Sequence, residues 1–308
     1  MFRPSPQLTL LPDKAPDKAP LPLNLAGQEF TGETFKGLDF SQAILTETRF
    51  SDCHFINCVF TGADLTGAQM VGGAMESSLL NDLTWPGGEL YNFILGDSPI
   101  IRANLSRTFF LNVKFLNKAG LVQVNLTKAF IQKCEGMGLV IESSDLTGAI
   151  IRDSNFSSLV IKNSNLTRLL TYGLISPNFK ALGLDLTQAA FWRADLSRAV
   201  LTGATLNQAK FMESLLIEAD LSKALANKAI FQGSNLTRAN LTGLKAQLAD
   251  FSRAILAEAQ LEEGDFRLVN LHRTLGLPKD HLTADFTGAR PTDPRLARAE
   301  GFTAGQAK

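Results

Sequence analysis

Hydrophobic residues recur along this chain at every fifth position. From Ala194 onward the sequence reads ADLSR, AVLTG, ATLNQ, AKFME, SLLIE and ADLSK. The third residue of each unit, which we call the centre, is almost always Leu or Phe, and the residue two before it is almost always Ala, Ser or Gly. A period of five fits neither the 3.6-residue period of a helix nor the two-residue period of a strand. The chain must therefore turn once per unit.

The five-residue pattern begins near Phe30 and continues to Leu271. It slips by one residue near 119–123 and blurs in two stretches, 81–99 and 171–183. A last isolated unit lies at 284–288. Because the pattern covers most of the chain, it predicts one repeated architecture.

A second period shows how many units close a coil. The first eight centres, from Phe30 to Leu65, read Phe-Phe-Phe-Leu twice, and Phe191, Phe211 and Phe231 are spaced by twenty residues. Four units therefore form one four-sided coil. Residues twenty apart are expected to stack at the strand spacing of about 4.8 Å.

The units resemble those of the pentapeptide-repeat family, A(D/N)LXX. Clean matches are Ala63-Asp64-Leu65-Thr66-Gly67, Ala103-Asn104-Leu105-Ser106-Arg107, Ala194-Asp195-Leu196-Ser197-Arg198, Ala219-Asp220-Leu221-Ser222-Lys223 and Ala239-Asn240-Leu241-Thr242-Gly243. The resemblance implies an all-β fold, a right-handed quadrilateral β-helix. The handedness comes from the resemblance alone. The pattern predicts about twelve coils with non-repeat terminal segments.

The segments outside the pattern give the expected domain organisation. Residues 1–24 are a Pro-rich N-terminal leader, 25–271 the β-helix, and 272–308 a C-terminal cap or docking tail. Asp293-Pro294 is a good start for a short helix, because Asp caps the first turn and Pro fits its first position.

Composition excludes several classes of function. Lys+Arg and Asp+Glu both number 30, so the formal net charge is zero and direct nucleic-acid binding is not predicted. No apolar run reaches the roughly 18 residues of a membrane span. Three cysteines are no disulfide framework, so a reducing cytoplasm is expected, with secretion as an effector left open.

The sequence contains no recognisable catalytic, cofactor or metal site. His54, His272 and His281 are scattered without ligands at usual spacings, and Cys53 and Cys58 fall on the inward position that Ala usually holds. The many Asp and Asn residues before centres follow the repeat. We therefore predict a protein that is not an enzyme and needs no cofactor.

Apolar residues directly before the centres form two outward columns. One column holds Val59, Leu79, Val140, Val160 and Val200, together with Pro99 and Ala119; the other holds Phe109, Phe130, Ile150 and Leu170, together with Ala190. Contiguous exposed apolar strips usually mark an interface. The alternative is that neighbouring side chains partly cover them.

The two blurred stretches predict bulges or small protruding loops, because proline cannot donate to a strand ladder. The first contains the candidate loop Trp85, Pro86, Gly87 and Gly88, and the second contains Pro177. Loops on a rigid scaffold often carry function. Tolerated irregularity is the alternative.

These features favour a non-catalytic scaffold that binds a protein partner or a second copy of itself through its outer faces. The family resemblance implies an alternative, a DNA-mimicking binder of type II topoisomerases that confers drug resistance. That function needs a continuous negative face, and the charges in this sequence are mixed. A further alternative is a bacterial effector or assembly component docked through its termini.

Overall fold

A computed structural model describes residues 22–278 and 283–300. The first 21 residues of the predicted leader, His281, and residues 301–308 lie outside the described part. The chain forms two compact units, Met1–Phe130 and Ile131–Lys308. Within the described residues, no helix has the length and apolar character needed to cross a membrane.

The first unit is built from short parallel strands. They are β1 Glu29–Thr31, β2 Thr34–Lys36, β3 Arg49–Ile56, β4 Gln69–Glu76, β5 Leu80–Asn81, β6 Glu89–Tyr91, β7 Ile94–Gly96, β8 Ile100–Ile101, β9 Phe109–Leu111, β10 Lys114–Leu116 and β11 Gly120–Val122. The order β1-β3-β4-β6-β9 forms one ladder, while β5-β8-β11 forms another. Phe30 pairs with Phe50 and Phe50 with Met70, which confirms the twenty-residue period.

The second unit has the same arrangement within itself. After β12 Phe130–Gln132, its strands are β13 Val140–Glu142, β14 Ile150–Arg152, β15 Val160–Lys162, β16 Leu170–Tyr172 and β17 Ala190–Trp192. Beyond Trp192 the coils pair through isolated parallel bridges, still twenty residues apart. One helix is described, α1 Pro294–Glu300, and it lies where Asp293-Pro294 predicts one. The fold is an all-β solenoid of stacked parallel strands.

The centres fill the core of each unit. Phe191, Phe211, Phe231 and Phe251 are at most 1% exposed, and their rings stack with centroids 4.8–5.2 Å apart. In the first unit, Phe rings also meet edge to face across neighbouring sides, as Phe50 and Phe55 do at 5.1 Å. Such stacks add to the burial of large apolar area. The core therefore holds the coils in register.

The Asp or Asn before a centre holds the turn that follows. Asp64 Oδ1 accepts hydrogen bonds from Thr66 N at 2.9 Å and Thr66 Oγ1 at 2.6 Å. The residue two after the centre then adopts a left-handed conformation, as in Arg198 with φ 58°. A short carboxylate or amide suits such a turn. The turn conformation therefore accounts for the Asp or Asn that recurs before the centres.

The predicted slip is one extra residue in a turn. Ile100 pairs with Leu121, so the register there is twenty-one residues, and the turn at Asn117 and Lys118 holds the additional residue. Ala119 consequently takes the inward position and is only 8% exposed. Its placement in an outward column was wrong, because Gly120 occupies that place.

The blurred stretch 171–183 does not protrude. Its centres are small and its inward positions are large, which reverses the usual distribution of volume. The centres are Thr171, Ser176 and Ala181, and the inward residues are Leu169, Leu174, Phe179 and Leu184, all buried. Because the total volume is kept, the coil stays regular. The predicted bulge was wrong in this stretch.

Residues 85–88 also follow the regular coil, so their placement in a protruding loop was wrong. Trp85 is a buried centre, 1% exposed, and its Nε1 donates to Ala68 O at 3.2 Å. Pro86 and Gly87 form the ordinary turn after it. A Cβ on Gly88 would lie 1.9 Å from Trp85 Nε1, so the missing side chain leaves space for the indole. The irregular sequence therefore reflects an exchange of side-chain volume inside the coil, in which the Trp85 indole fills the space next to Gly88.

The ladders extend beyond the predicted repeat at both described ends. Asn24 already bridges Ile44, and Asn270 bridges Arg290. The column that starts at Glu135 has eight successive positions in the second unit, ending at Leu275. Because the ladders extend past both predicted ends of the repeat, the coil count differs slightly from the predicted twelve. The assignment of 272–308 as cap or tail stays a prediction.

Candidate interaction surface

We call the first apolar column the valine column. In the first unit Val59 pairs with Leu79, which is 51% exposed. In the second unit Val140 pairs with Val160, and both are half-buried. Lys180 interrupts the column before Val200, pairing with a valine on each side. The valine column is therefore broken by a charge.

The second apolar column lies on a neighbouring side of the coil. Phe109 and Phe130 are half-buried, and their rings stack at 5.1 Å with an interplanar angle of 6°. In the second unit Ile150 pairs with Leu170, and Leu170 pairs with Ala190. Leu170 is 44% exposed. Ile150, Leu170 and Ala190 form an uninterrupted apolar strip across three strands.

Sequence reasoning missed two aromatic residues beside this strip. Tyr172 and Trp192 follow their centres, at a position that usually holds Ser or Thr, and are spaced by twenty residues. Their rings lie 6.1 Å apart at 57°, and both are exposed. Two large rings in one outward column were the signal that could have revealed them.

Two arginines contact the Tyr172 side chain. Arg152 lies over the Tyr172 ring at 5.6 Å from its centroid. Arg193 Nη1 donates to Tyr172 Oη at 3.2 Å, and Arg193 Nε donates to Glu213 Oε2 at 2.8 Å. Cation–π contacts of this kind are worth about 0.5–1 kcal/mol at exposed sites. The Tyr172 ring is therefore held in place by its neighbours, and the Trp192 ring lies beside it.

Together these side chains enclose a shallow groove of about 420 Å³. We define the aromatic patch as Ile150, Leu170, Ala190, Tyr172, Trp192 and Arg152, which line it. Trp, Tyr and Arg are the residues that contribute most to binding energy at protein interfaces. The aromatic patch is thus the strongest candidate interaction surface in the second unit.

Beneath the groove, Thr171 occupies a core position with an unsatisfied hydroxyl. The residue is 4% exposed, and its Oγ1 has no hydrogen-bond partner among the described residues. A buried polar group without a partner costs about 1–3 kcal/mol. The unpaired Thr171 hydroxyl beneath the aromatic patch therefore lowers the free energy of unfolding.

Replacing Thr171 by valine is expected to raise the free energy of unfolding by about 1 kcal/mol, because valine keeps the shape and removes the hydroxyl. Urea denaturation followed by circular dichroism measures the change. Thr108→Val is the matched control. Thr108 Oγ1 donates to Trp85 O at 2.9 Å, so this substitution should destabilise. A loss of stability in Thr171→Val would contradict the interpretation.

The cysteines are buried, and the described histidines belong to no metal-binding group. Burial raises the pKa of the Cys53 and Cys58 thiols, and Cys58 Sγ donates to Phe35 O at 3.4 Å. No group of three or more His, Cys, Asp and Glu there could hold a metal ion. His54 is exposed, while His272 is buried and its Nδ1 accepts from Asp293 N at 3.2 Å.

Charges on another side of the second unit are arranged in pairs. Arg198 Nε lies 3.0 Å from Glu218 Oε2, and Arg238 Nε lies 2.8 Å from Glu258 Oε2. Glu218 Oε1 also lies 4.0 Å from Arg238 Nη1. Because these groups are exposed, each pair adds little stability. Their effect is to avoid repulsion between stacked like charges.

The fold and its outward columns define a solenoid of five-residue units. A sequence model described as pentapeptide repeats matches the chain with eight copies, among them residues 34–72, 43–82, 183–216, 213–243 and 234–273. The chain belongs to the pentapeptide-repeat family. No curated protein matches the sequence.

Solved structures similar to this chain include HetL and QnrB1. HetL, a pentapeptide repeat protein involved in heterocyst differentiation regulation in the cyanobacterium Nostoc sp. strain PCC 7120, is 23% identical. The match covers 81% of this chain and 90% of HetL, with a TM-score of 0.25. Trypsin-treated QnrB1, a plasmid-mediated fluoroquinolone resistance protein, is 15% identical. That match covers 90% of this chain and 99% of the other, with a TM-score of 0.23.

Proposed function

We propose that this protein is a non-catalytic scaffold that binds a protein partner through the outer sides of its coils. The observation that carries the proposal is the aromatic patch, where exposed Leu170, Tyr172 and Trp192 lie side by side on a rigid sheet. A flat apolar surface with ordered aromatic and arginine side chains is what a protein interface requires.

The proposal predicts that one charge in the aromatic patch will abolish partner binding. Leu170→Asp should reduce capture of the partner from host extract by at least about tenfold, because it removes apolar contact area from the centre of the patch and adds a carboxylate that must be desolvated in the complex. Quantitative mass spectrometry of proteins captured by the tagged full chain measures this. Circular dichroism should stay unchanged.

Leu215→Asp is the matched control. Leu215 is 41% exposed and precedes a centre, as Leu170 does, but lies on a different side between Asp195 and Asn235. It should leave capture intact. Val140→Asp with Val160→Asp tests the valine column in the same way, with light scattering as the measure of self-association. If no variant changes either the captured proteins or the mass in solution, the proposal is wrong.

The charges favour this function over mimicry of DNA. A mimic needs a continuous negative face, since duplex DNA carries one charge per about 1.7 Å. In the second unit the exposed acids Glu218 and Glu258 are paired with arginines. In the first unit Asp82 is held by Arg102 at 2.7 Å. Neighbouring cations therefore interrupt the negative surface.

A further inference from the structure

A second groove adjoins the aromatic patch in the second unit. It has a volume of about 540 Å³ and is lined by Arg168, Gln188, Gln208, Lys210 and Lys228, with Gly148 and Ile230. Leu170 lines this groove and the aromatic patch alike. We call it the basic groove. The two depressions therefore form one continuous surface with an apolar part and a cationic part.

No carboxylate lies in the columns that make up this surface. Three columns between residues 148 and 232 make up the surface: the residues just before the centres of this side, the residues just after them, and the residues at the adjoining turn. They contain no Asp or Glu and four cations, Arg152, Arg168, Lys210 and Lys228. Among the described residues, Lys210 and Lys228 have no carboxylate within ion-pair distance.

This arrangement differs from the rest of the second unit. On another side, the stacked cations Arg198 and Arg238 are separated by Glu218, which prevents repulsion. Two acids occupy the turn that follows the centres of this side: Glu213 is bound to Arg193, and Asp153 follows Arg152. Unpaired cations on one sheet side raise the local potential and attract anionic groups.

Hydrogen bonds between neighbouring side chains partly fix the lining of the basic groove. Arg168 Nε donates to Gln188 Oε1 at 3.0 Å, and Gln188 Nε2 donates to Gln208 Oε1 at 3.1 Å. This chain of hydrogen bonds fixes the arginine through its Nε alone. The two terminal nitrogens of Arg168 can therefore engage a carboxylate in the two-bond geometry that guanidinium favours.

We propose that the aromatic patch and the basic groove together bind an acidic segment of a partner protein that carries a bulky apolar anchor. The anchor fills the groove at Leu170, Tyr172 and Trp192, and the segment's carboxylates meet Arg168, Lys210 and Lys228. This inference rests on the proposed function and adds the chemistry of the partner.

The register sets the spacing in such a segment. Leu170 and Lys210 lie in one column, joined through Ala190, and are therefore two strand spacings or roughly 10 Å apart. An extended peptide covers about 3.3 Å per residue. The apolar anchor and the first carboxylate should therefore stand about three residues apart.

A peptide fits this surface better than a nucleic acid does. Binding of single strands uses aromatic ring faces as stacking platforms beside a long track of cations. In this patch Arg152 lies over the Tyr172 ring, and the Tyr172 and Trp192 rings pack against each other. Carboxylates beside one apolar anchor match the three cations of the basic groove and the apolar groove of the aromatic patch.

The test measures binding of labelled synthetic peptides to the full chain by fluorescence anisotropy at low and high salt. The probes are a peptide of repeated Glu-Glu-Glu-Phe, which places a Glu three residues from each Phe, the same peptide with Ser in place of Glu, and one with Lys in place of Glu. The acidic peptide should bind at least about tenfold more tightly than the Ser peptide, and salt should weaken it. The Lys peptide should not bind.

Lys210→Glu with Lys228→Glu should weaken the acidic peptide by at least about tenfold. Lys180→Glu with Lys223→Glu is the matched control, because these lysines lie on a different side. Equal binding of the acidic and Ser peptides, or no effect of the first pair, would overturn the proposal. So would tighter binding of an oligothymidylate or a polyuronate than of the acidic peptide.

The same variants separate the two proposals. If Leu170→Asp loses the captured host partner while Lys210→Glu with Lys228→Glu keeps it, the scaffold function stands and an acidic partner is ruled out. If both variants keep every captured protein, the scaffold function through this side is wrong as well. If both lose the same partner and the peptide assay agrees, both proposals are supported.

Discussion

Replacing Phe231 by alanine is expected to lower the free energy of unfolding by about 4 kcal/mol, because a large buried ring is lost and a cavity remains. Phe231 is fully buried and stacks on two rings, Phe211 at 5.2 Å and Phe251 at 4.8 Å. The cavity lies between coils that the ladders on every side prevent from collapsing. Urea denaturation of the full chain measures the loss.

Phe231→Leu separates cavity formation from loss of the ring stack. Leu serves as a centre on the neighbouring sides of this unit, so this variant should cost about 1.5 kcal/mol. Lys228→Ala, on the exposed turn before Phe231, is the surface control and should be within about 0.5 kcal/mol of the original protein. A Phe231→Ala variant as stable as the surface control would contradict the assignment of this stack to the core.

Gly73→Ala is expected to destabilise the first unit by about 3 kcal/mol or more. Gly73 has φ +86°, and a Cβ there would lie 2.0 Å from Cys53 O and 2.8 Å from Cys53 N. Backbone atoms in a paired strand cannot easily move aside, and Cys53 pairs directly with Gly73 in the register of β3 and β4. The cost combines left-handed strain with overpacking. Thermal and urea unfolding of the full chain both report it.

The neighbouring glycine provides a matched control. Gly72 has φ +69°, but a Cβ there would meet the Asp52 carboxylate, at 2.1 Å from Oδ1, and that side chain can rotate away. Gly72→Ala should therefore cost only about 1 kcal/mol. Equal losses of stability in the two variants would show that the left-handed backbone conformation causes the loss, and that the clash with Cys53 does not.

The aromatic patch shows how far sequence reasoning reached. Ile150 and Leu170 were predicted as outward apolar residues from their position before centres, and the structure places them on adjacent strands. Tyr172, Trp192 and the cations of the basic groove were missed. The spacing of twenty between Tyr172 and Trp192 was visible in the sequence. Nothing there placed Arg168 and Lys228 in one groove with Leu170, because that depends on two sides of the coil meeting at a corner.

The sequence by itself determined the repeat and its closure. A hydrophobic residue every fifth position forces one turn per unit, and Phe recurring every twenty requires stacked coils of four units. The Asp or Asn before the centre encodes its turn locally, as the Asp64–Thr66 contact demonstrates. These features are local or strictly periodic, so no tertiary information is needed to find them.

Only the tertiary structure decided which irregularities stay inside the coil and which residues meet on its surface. Phe179 takes space given up by Ala181, and Gly88 leaves space for Trp85. A sequence pattern records each position separately, whereas packing depends on the summed volume of facing side chains. The same reason applies outside: the joining of the basic groove to the aromatic patch follows from stacking and corner geometry, which no single five-residue unit contains.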